Sequence, residues 1–236
     1  MKKKNSIWLY TLLLMGMLLI LTSSCKKDTI ITPTPTYETG MVTDTDGNVY
    51  KTVKIGDQWW MAENLKTTKF NDGKAIPLVT DNIAWNKLTT AGYCWYNNDS
   101  TTNKSIYGTL YNWYTVNTGK LCPIGWHVPS DAEWKTLITY LGGISVAGGK
   151  MKEKDFFHWE SPNTGATNSS RFTALPGGSR NDAYSFFDIG YSSHWWFSTE
   201  YDASNAWCIN LNFVSENINI LNYNKNFGFY VRCLKD

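Results

Sequence analysis

Residues 122–134 read Cys-Pro-Ile-Gly-Trp-His-Val-Pro-Ser-Asp-Ala-Glu-Trp, and the last five of them predict the start of a helix. In this pattern the Ser130 side chain accepts a hydrogen bond from the Glu133 backbone N–H, and the Glu133 carboxylate accepts one from the Ser130 backbone N–H. Capping also accounts for Asp131 and Glu133 without a catalytic role, since carboxylates suit a helix start. The apolar residues and glycines that follow fit one helix face and its end: Trp134, Leu137, Ile138, Leu141, Gly142 and Gly143.

The segments on either side of this helix favour strands. Residues 41–43 and 49–55 flank Asp46-Gly47-Asn48, and an Asp-Gly pair between strand-like segments is typical of a tight hairpin turn. A second, weaker helix is predicted over residues 108–116. The C-terminal third alternates in strand fashion over residues 206–213, 217–223 and 228–234. Strands after an early helical region, without βαβ alternation, indicate an α+β fold, so residues 40–236 are predicted to form a single loop-rich α+β domain.

The hairpin turn also resembles the start of a calcium loop. Asp44, Asp46 and Asn48 have the spacing of the first ligands of an EF-hand, but Ile55 stands where the twelfth position requires a bidentate glutamate. The hairpin is therefore the preferred interpretation. We expect neither a metal site nor a cofactor.

The N-terminal segment predicts export and lipid attachment. Lys2, Lys3 and Lys4 precede the apolar residues 7–21, and the small residues 22–24 stand directly before Cys25. This is the order of a secretory signal peptide, and the apolar segment is shorter than the roughly twenty residues of a membrane span. A cysteine after the small residues is typical of a bacterial lipoprotein signal. We expect residues 1–24 to be removed and Cys25 to be acylated, which makes membrane lipid the first predicted partner.

Residues 25–39 then read as a lipidated cysteine followed by a tether. Thr32-Pro33-Thr34-Pro35 favours an extended, semi-rigid spacer between membrane and domain. Because no aspartate follows Cys25, an inner-membrane retention signal is absent at that position, and we expect an exported protein on the outer membrane or cell surface of a Gram-negative bacterium.

The charge balance argues against nucleic acid as a partner. The whole chain has 22 basic and 20 acidic residues, but residues 1–24 contain three lysines and no acid, so the remainder carries a net charge of about −1. No basic stripe with interleaved aromatic residues is present.

Cysteine usage fits an oxidising compartment. Four cysteines follow Cys25, namely Cys94, Cys122, Cys208 and Cys233. An even number outside the cytoplasm favours disulfides, and spacing alone leaves all three pairings open. Without a C-x-x-C pair, a zinc site is disfavoured.

Five motifs together resemble the Fibrobacter succinogenes major paralogous domain family, whose members are mostly exported or lipid-anchored surface proteins. They occur in the family's order and cover essentially residues 40–236. The motifs are Trp59-Trp60-Met61-Ala62-Glu63-Asn64-Leu65, residues 122–134, Ala174-Leu175-Pro176-Gly177-Gly178, Trp195-Trp196-Phe197-Ser198-Thr199-Glu200 and Gly228-Phe229-Tyr230-Val231-Arg232-Cys233.

A more distant resemblance concerns the fold. The helix start at Ser130, the turn at Gly177-Gly178-Ser179 and the terminal Gly228-Phe229 strand are similar to those of formylglycine-generating, sulfatase-modifying enzymes, which have a C-type lectin-like fold. That resemblance implies a Cys122–Cys233 disulfide, which leaves Cys94 with Cys208. The enzyme's paired copper-binding thiols have no counterpart here, because Cys208 and Cys233 are far apart in the sequence.

Aromatic residues are the best sequence lead to a ligand site. Extended strands expose alternate residues on opposite faces, so one member of each tryptophan pair is expected to face away from the other. Exposed aromatic rings beside amides and carboxylates are typical of sugar- and peptide-binding surfaces. The resulting candidates are Trp59, Trp60, His194, Trp195 and Trp196. None of the three histidines, His127, His158 and His194, lies in a sequence motif with the spacing of metal ligands.

Three functions remain open at this point. We favour a non-catalytic recognition or adhesion module at the cell surface, with a glycan or protein ligand. An enzyme of the formylglycine-generating type would need free thiols or a metal. A structural surface protein would need ordered self-association. Among these, catalysis is the less favoured because no catalytic motif is present.

Overall fold

A computed structural model describes residues 37–181 and 185–236. The predicted signal peptide, Cys25 and most of the predicted tether lie outside the described residues. In the described part, helices and strands are mixed, with strands in the majority. The strands are β1 (Thr39–Thr43), β2 (Val49–Ile55), β3 (Gln58–Met61), β4 (Tyr93–Cys94), β5 (Leu110–Tyr111), β6 (Trp126–His127), β7 (Gly177–Arg180), β8 (Phe186–Ile189), β9 (Ser192–Glu200), β10 (Asn205–Asn212), β11 (Asn219–Asn224) and β12 (Leu234–Lys235). The helices are α1 (Asn82–Asn86), α2 (Ser100–Tyr107), α3 (Trp113–Val116), α4 (Asp131–Tyr140) and α5 (Ile144–Met151).

Two five-stranded sheets organise these elements. The first has the order β1-β2-β3-β12-β6, so strands from both ends of the domain pair with each other. The second has the order β11-β10-β9-β7-β8, with β9 parallel to β7 and antiparallel to β10. A short β4–β5 ribbon is separate. The α+β prediction is therefore confirmed at the level of fold class.

The capping box predicted at Ser130 is present. Glu133 accepts a hydrogen bond from the Ser130 backbone N–H at 2.8 Å, and Ser130 Oγ accepts one from the Glu133 backbone N–H at 3.4 Å. The predicted apolar face of α4 is buried. Gly142 and Gly143 follow with positive φ angles of 100° and 96°, which end the helix as expected.

The N-terminal hairpin is also confirmed. The backbone N–H of Asp44 donates to the carbonyl of Asn48 at 3.0 Å, and Gly47 adopts a φ of 83° in the turn. A positive φ is costly for residues with a Cβ atom, so glycine is required at this position.

The second predicted helix is wrong over most of its length. Residues 108–116 form β5, the α3 turn and the connection between them. Tyr111 exchanges backbone hydrogen bonds with Phe229, at 2.9 and 3.1 Å, and this long-range pairing overrides the local helical pattern. The helix lies earlier, in α2, where Asp99 caps the N–H groups of Thr101 and Thr102.

The predicted last strand is also shorter than expected. Gly228, Phe229 and Tyr230 form only isolated bridges, with Arg180, Tyr111 and Trp195, and residues 231–233 belong to no strand. Only Leu234 belongs to a regular strand, β12.

A buried lysine holds the long connection between α5 and β7. Lys152 is fully buried, and its Nζ donates to the carbonyls of Thr164, Asn212 and Ser215 at 2.8–3.0 Å. Burial lowers the pKa of Lys152 to about 8. Thr164 belongs to the connection and Asn212 ends β10, so the shared lysine holds the connection against that end of the second sheet.

Candidate functional site

The tryptophans predicted to reach solvent lie mainly in the core. Trp195 and Trp196 are fully buried on opposite faces of β9, which is an inner strand of its sheet. Trp195 packs edge-on against Phe172 at 6.2 Å, and Trp196 lies 4.4 Å from Phe229. Both faces of β9 are covered, so neither tryptophan can meet a ligand in this structure.

The β3 pair behaves differently. Trp60 is fully buried, 4.6 Å from Trp134, whereas Trp59 is half-buried. Trp59 is therefore the single tryptophan of the four candidates that reaches solvent.

His194 is likewise a core residue. Its ring stacks on Phe229 at 4.6 Å, and its Nε2 lies 3.1 Å from Asn210 Nδ2. Burial lowers the pKa of His194 to about 3, so the ring is neutral at physiological pH. It is not available to an external ligand.

His127, on β6, contacts both the residue that follows β12 and helix α4. Its Nδ1 lies 2.6 Å from Asp236 Oδ1, and its Nε2 lies 2.9 Å from Glu133 Oε1. Burial alone would lower the pKa of His127, but the hydrogen bonds to Asp236 and Glu133 raise it above its ordinary value. Carboxylates thus engage both ring nitrogens, and His127 ties α4 to the residue that follows β12.

The cysteines give one confirmation and one correction. Cys122 and Cys233 form a disulfide with an S–S distance of 2.02 Å. Cys94 and Cys208 do not pair: both are buried free thiols, and they belong to different hydrophobic clusters. Burial raises the pKa of Cys94 to about 11 and that of Cys208 well above its ordinary value. Neither thiol is exposed or ionised, as a catalytic or copper-binding thiol must be.

Metal ligation finds no support in residues 37–181 and 185–236, where no group of three or more His, Cys, Asp or Glu side chains is placed to hold an ion. The calcium-like Asp44 instead accepts hydrogen bonds from the backbone N–H groups of Asp46 and Asn48 and from the Tyr50 hydroxyl. These bonds shape the hairpin turn.

An open depression at one edge of the second sheet is the better candidate site. Its volume is about 680 Å³, and we call it the asparagine groove. It is formed by the segment before and within α1, the turn before α2 and the start of β8. The residues that line it are Thr80, Asp81, Asn82, Ile83, Asn98 and Phe186.

A buried arginine builds the base of the groove. Arg180, on β7, is fully buried and donates to the carbonyls of Val79 and Thr80 at 2.8 and 3.1 Å and to Asn82 Oδ1 at 2.9 Å. Its guanidinium group also lies 5.0 Å from the Phe186 ring. One side chain thus fixes both walls, although they are about a hundred residues apart in the sequence.

Asn98 completes the polar side of the groove. Asn97 and Asn98 both adopt left-handed backbone conformations, with φ angles of 52° and 56°. The Asn98 Nδ2 group donates to the Thr80 carbonyl at 3.1 Å, while its buried Oδ1 has no hydrogen-bond partner among the described residues. A buried acceptor without a partner is uncommon and costly.

The groove combines two kinds of contact. Asp81, Asn82 and Asn98 offer carboxylate and amide groups, while Ile83 and Phe186 offer apolar surface. The two Nη groups of Arg180 donate to protein acceptors. Arg180 does not line the groove, so the exposed Asp81 carboxylate sets the local charge. This chemistry suits an uncharged ligand that has both hydroxyl groups and an apolar face.

Sequence reasoning missed this groove. The signal that was available is Asn97-Asn98-Asp99, since asparagine and aspartate tolerate left-handed turns and cap helices. Nothing in the sequence connects that turn to Phe186, because the contact depends on Arg180.

Comparison with protein families shows a match over most of the domain. The model of the Fibrobacter succinogenes major domain covers residues 53–235. No curated protein matches, and no solved structure matches. The distant resemblance to formylglycine-generating enzymes therefore stays a prediction. Within the described residues, no helix has the length and apolar character needed to cross a membrane. Because the matched segment spans well over half of the sequence, the chain belongs to the Fibrobacter succinogenes major domain family.

Proposed function

We propose that this protein is a lipid-anchored bacterial surface protein whose domain binds a glycan in the asparagine groove. The observation that carries the proposal is the groove itself, where Asn82, Asn98 and Asp81 stand beside Phe186 and Ile83. Sugars present hydroxyl groups at their rims and apolar C–H faces, and such ligands are held by a few polar groups beside an aromatic ring.

Anchoring and export have support of a different kind. The positive, apolar and small segments before Cys25 have the order of a lipoprotein signal. A disulfide between Cys122 and Cys233 fits an oxidising compartment outside the cytoplasm. We place the protein on the outer membrane or cell surface of a Gram-negative bacterium, with residues 25–39 as the tether.

A C-type lectin-like fold is part of the same proposal. Its support is the pairing of β12 with β3 and the disulfide that joins the approach to α4 with the last strand region. The fold gives a reason to expect recognition, but the ligand argument rests on the groove.

The test is a broad glycan array probed with unacylated residues 25–236. The groove variant is Ile83→Arg, because Ile83 is 57 % exposed and an arginine there fills the groove without disturbing the core. Its matched control is Val214→Arg, at a residue 56 % exposed and outside the groove.

We expect a selective glycan signal that Ile83→Arg removes and Val214→Arg retains. No signal on the array, or a signal equally strong in Ile83→Arg, would contradict the proposal. Trp195 and Trp196 are unsuitable probes, because their replacement would disturb the core.

A further inference from the structure

Two adjacent phenylalanines form a prominent exposed apolar feature. Phe156 and Phe157 are 62 % and 85 % exposed, in the connection between α5 and β7. Single exposed apolar residues are common on protein surfaces, but two neighbouring aromatic rings at such exposure indicate a contact surface. We call this feature the diphenylalanine tip.

The base of the tip is fixed on both sides. Asn163 Nδ2 donates to the carbonyls of Glu153 and Asp155 at 3.0 and 2.9 Å. After the tip, His158 Nδ1 lies 2.8 Å from a Glu153 carboxylate oxygen. The two rings are thus carried by a short, braced loop, so little ordering entropy is lost when they are buried.

The chain enters the domain beside the same connection. Tyr37 donates its hydroxyl hydrogen to the Ser169 carbonyl, and the Arg171 guanidinium lies 5.4 Å from the Tyr37 ring. Ser169, Arg171 and the diphenylalanine tip all belong to the α5–β7 connection. Tyr37, where the described chain begins after the proposed tether, is therefore held against the same connection that carries the tip.

The tether sets how far this unit can lie from the membrane. Residues 25–36 precede Tyr37, and twelve residues reach at most about 40 Å when fully extended. We propose that the diphenylalanine tip inserts into the interfacial region of the bilayer that holds the acylated Cys25, and so forms a second membrane contact. This inference rests on the proposed lipid anchor.

The charges along the α5–β7 connection indicate how the tip would bind. Exposed Lys154 and Arg171 are balanced by exposed Asp155 and Glu160. Attraction to anionic headgroups is therefore small, and apolar burial of the two rings drives binding. The anchor keeps the tip at a high effective concentration near the bilayer, which adds to the intrinsic binding that burial of the two rings supplies.

The experiment is co-sedimentation of unacylated residues 25–236, carrying Cys25→Ser, with vesicles of phosphatidylethanolamine and phosphatidylglycerol. The test variant is Phe156→Ser/Phe157→Ser. The control is Ile124→Ser/Tyr140→Ser, because Ile124 and Tyr140 are 85 % and 65 % exposed but lie outside this connection. Circular dichroism confirms that each variant is folded.

We expect the test variant to bind roughly a hundredfold more weakly, since each of the two lost rings contributes roughly a factor of ten in partitioning, while the control binds like the parent. Added salt should have little effect. Equal binding of parent and test variant, or no vesicle binding by the parent, would overturn the inference. So would loss of array glycan binding in the test variant with vesicle binding unchanged, because the tip would then be a protein-to-glycan contact. The assay uses unacylated protein, so its outcome is independent of acylation at Cys25.

Discussion

Strand β9 and the asparagine groove both carry aromatic side chains beside polar ones, yet only the groove is open to solvent. Trp195 and Trp196 alternate across β9 as expected for a strand, but packed aromatic rings cover both faces. Phe186 lies on the edge strand β8, where one side of the sheet ends. The difference shows that alternation tells which residues share a face, whereas position in the sheet decides whether that face meets solvent.

Among the variants that test this difference, Trp195→Ala is expected to have the largest effect on stability. Removing this fully buried ring leaves a cavity and should lower the free energy of unfolding by about 3–5 kcal/mol. Ile83→Arg in the groove should change it by no more than about 0.5 kcal/mol. Urea unfolding measures both variants, and a loss below about 1 kcal/mol for Trp195→Ala would place that ring outside the core.

The next prediction concerns the disulfide between Cys122 and Cys233. The disulfide joins residues 111 positions apart, so Cys122→Ala/Cys233→Ala should lower the free energy of unfolding by about 4 kcal/mol through a less restricted unfolded chain. Cys94→Ala/Cys208→Ala is the matched control for thiol removal. If Cys94→Ala/Cys208→Ala lowered the free energy of unfolding by as much as the disulfide variant does, the loss of buried sulfur atoms would explain both results.

A smaller effect is expected at the amide that supports β9. Asn64 Oδ1 accepts hydrogen bonds from Trp195 Nε1 and Arg232 Nε, both at 2.8 Å, and its Nδ2 donates to the Tyr107 carbonyl. Asn64→Leu leaves these buried groups without a partner and should cost about 3 kcal/mol. Asn98→Gly, in the groove, keeps the positive φ without strain, loses one bond to Thr80 and should cost about 1 kcal/mol. Equal losses in thermal unfolding would count against the distinction between core and groove.

The smallest effect depends on pH. The pKa of His127 is raised in the folded state, so its contribution is fully present below the unfolded pKa and is lost as pH rises through the folded pKa. Because the site is more than a third exposed, the contribution is at most about 1 kcal/mol. His127→Gln should be less stable than the parent at pH 6 and indistinguishable at pH 9. If His127→Gln were less stable than the parent by the same amount at both pH values, the lost stability would come from packing and not from the charge of His127.

Local signals in the sequence predicted the elements that local contacts build. Helix α4 begins directly after its N-cap Ser130 and the first hairpin turns at Gly47, because capping and turn chemistry lie within a few residues. The helix predicted over residues 108–116 failed because Tyr111 pairs with the distant Phe229.

The groove could not be predicted for the same reason. Residues near position 80 and Phe186 meet because Arg180 holds both. No local sequence pattern predicts a buried arginine whose acceptors among residues 37–181 and 185–236 are carbonyl and amide oxygens. The Cys122–Cys233 pairing followed from a family resemblance, whereas pairing the remaining Cys94 with Cys208 by elimination failed because they belong to separate clusters.

Hydrogen–deuterium exchange with the tightest-binding array glycan tests the central claim most directly. The protein is unacylated residues 25–236, compared with and without saturating glycan. The groove account predicts added protection confined to residues 79–83, 97–98 and 186–189. Protection centred on β3 around the half-exposed Trp59, with none at the groove, would contradict it.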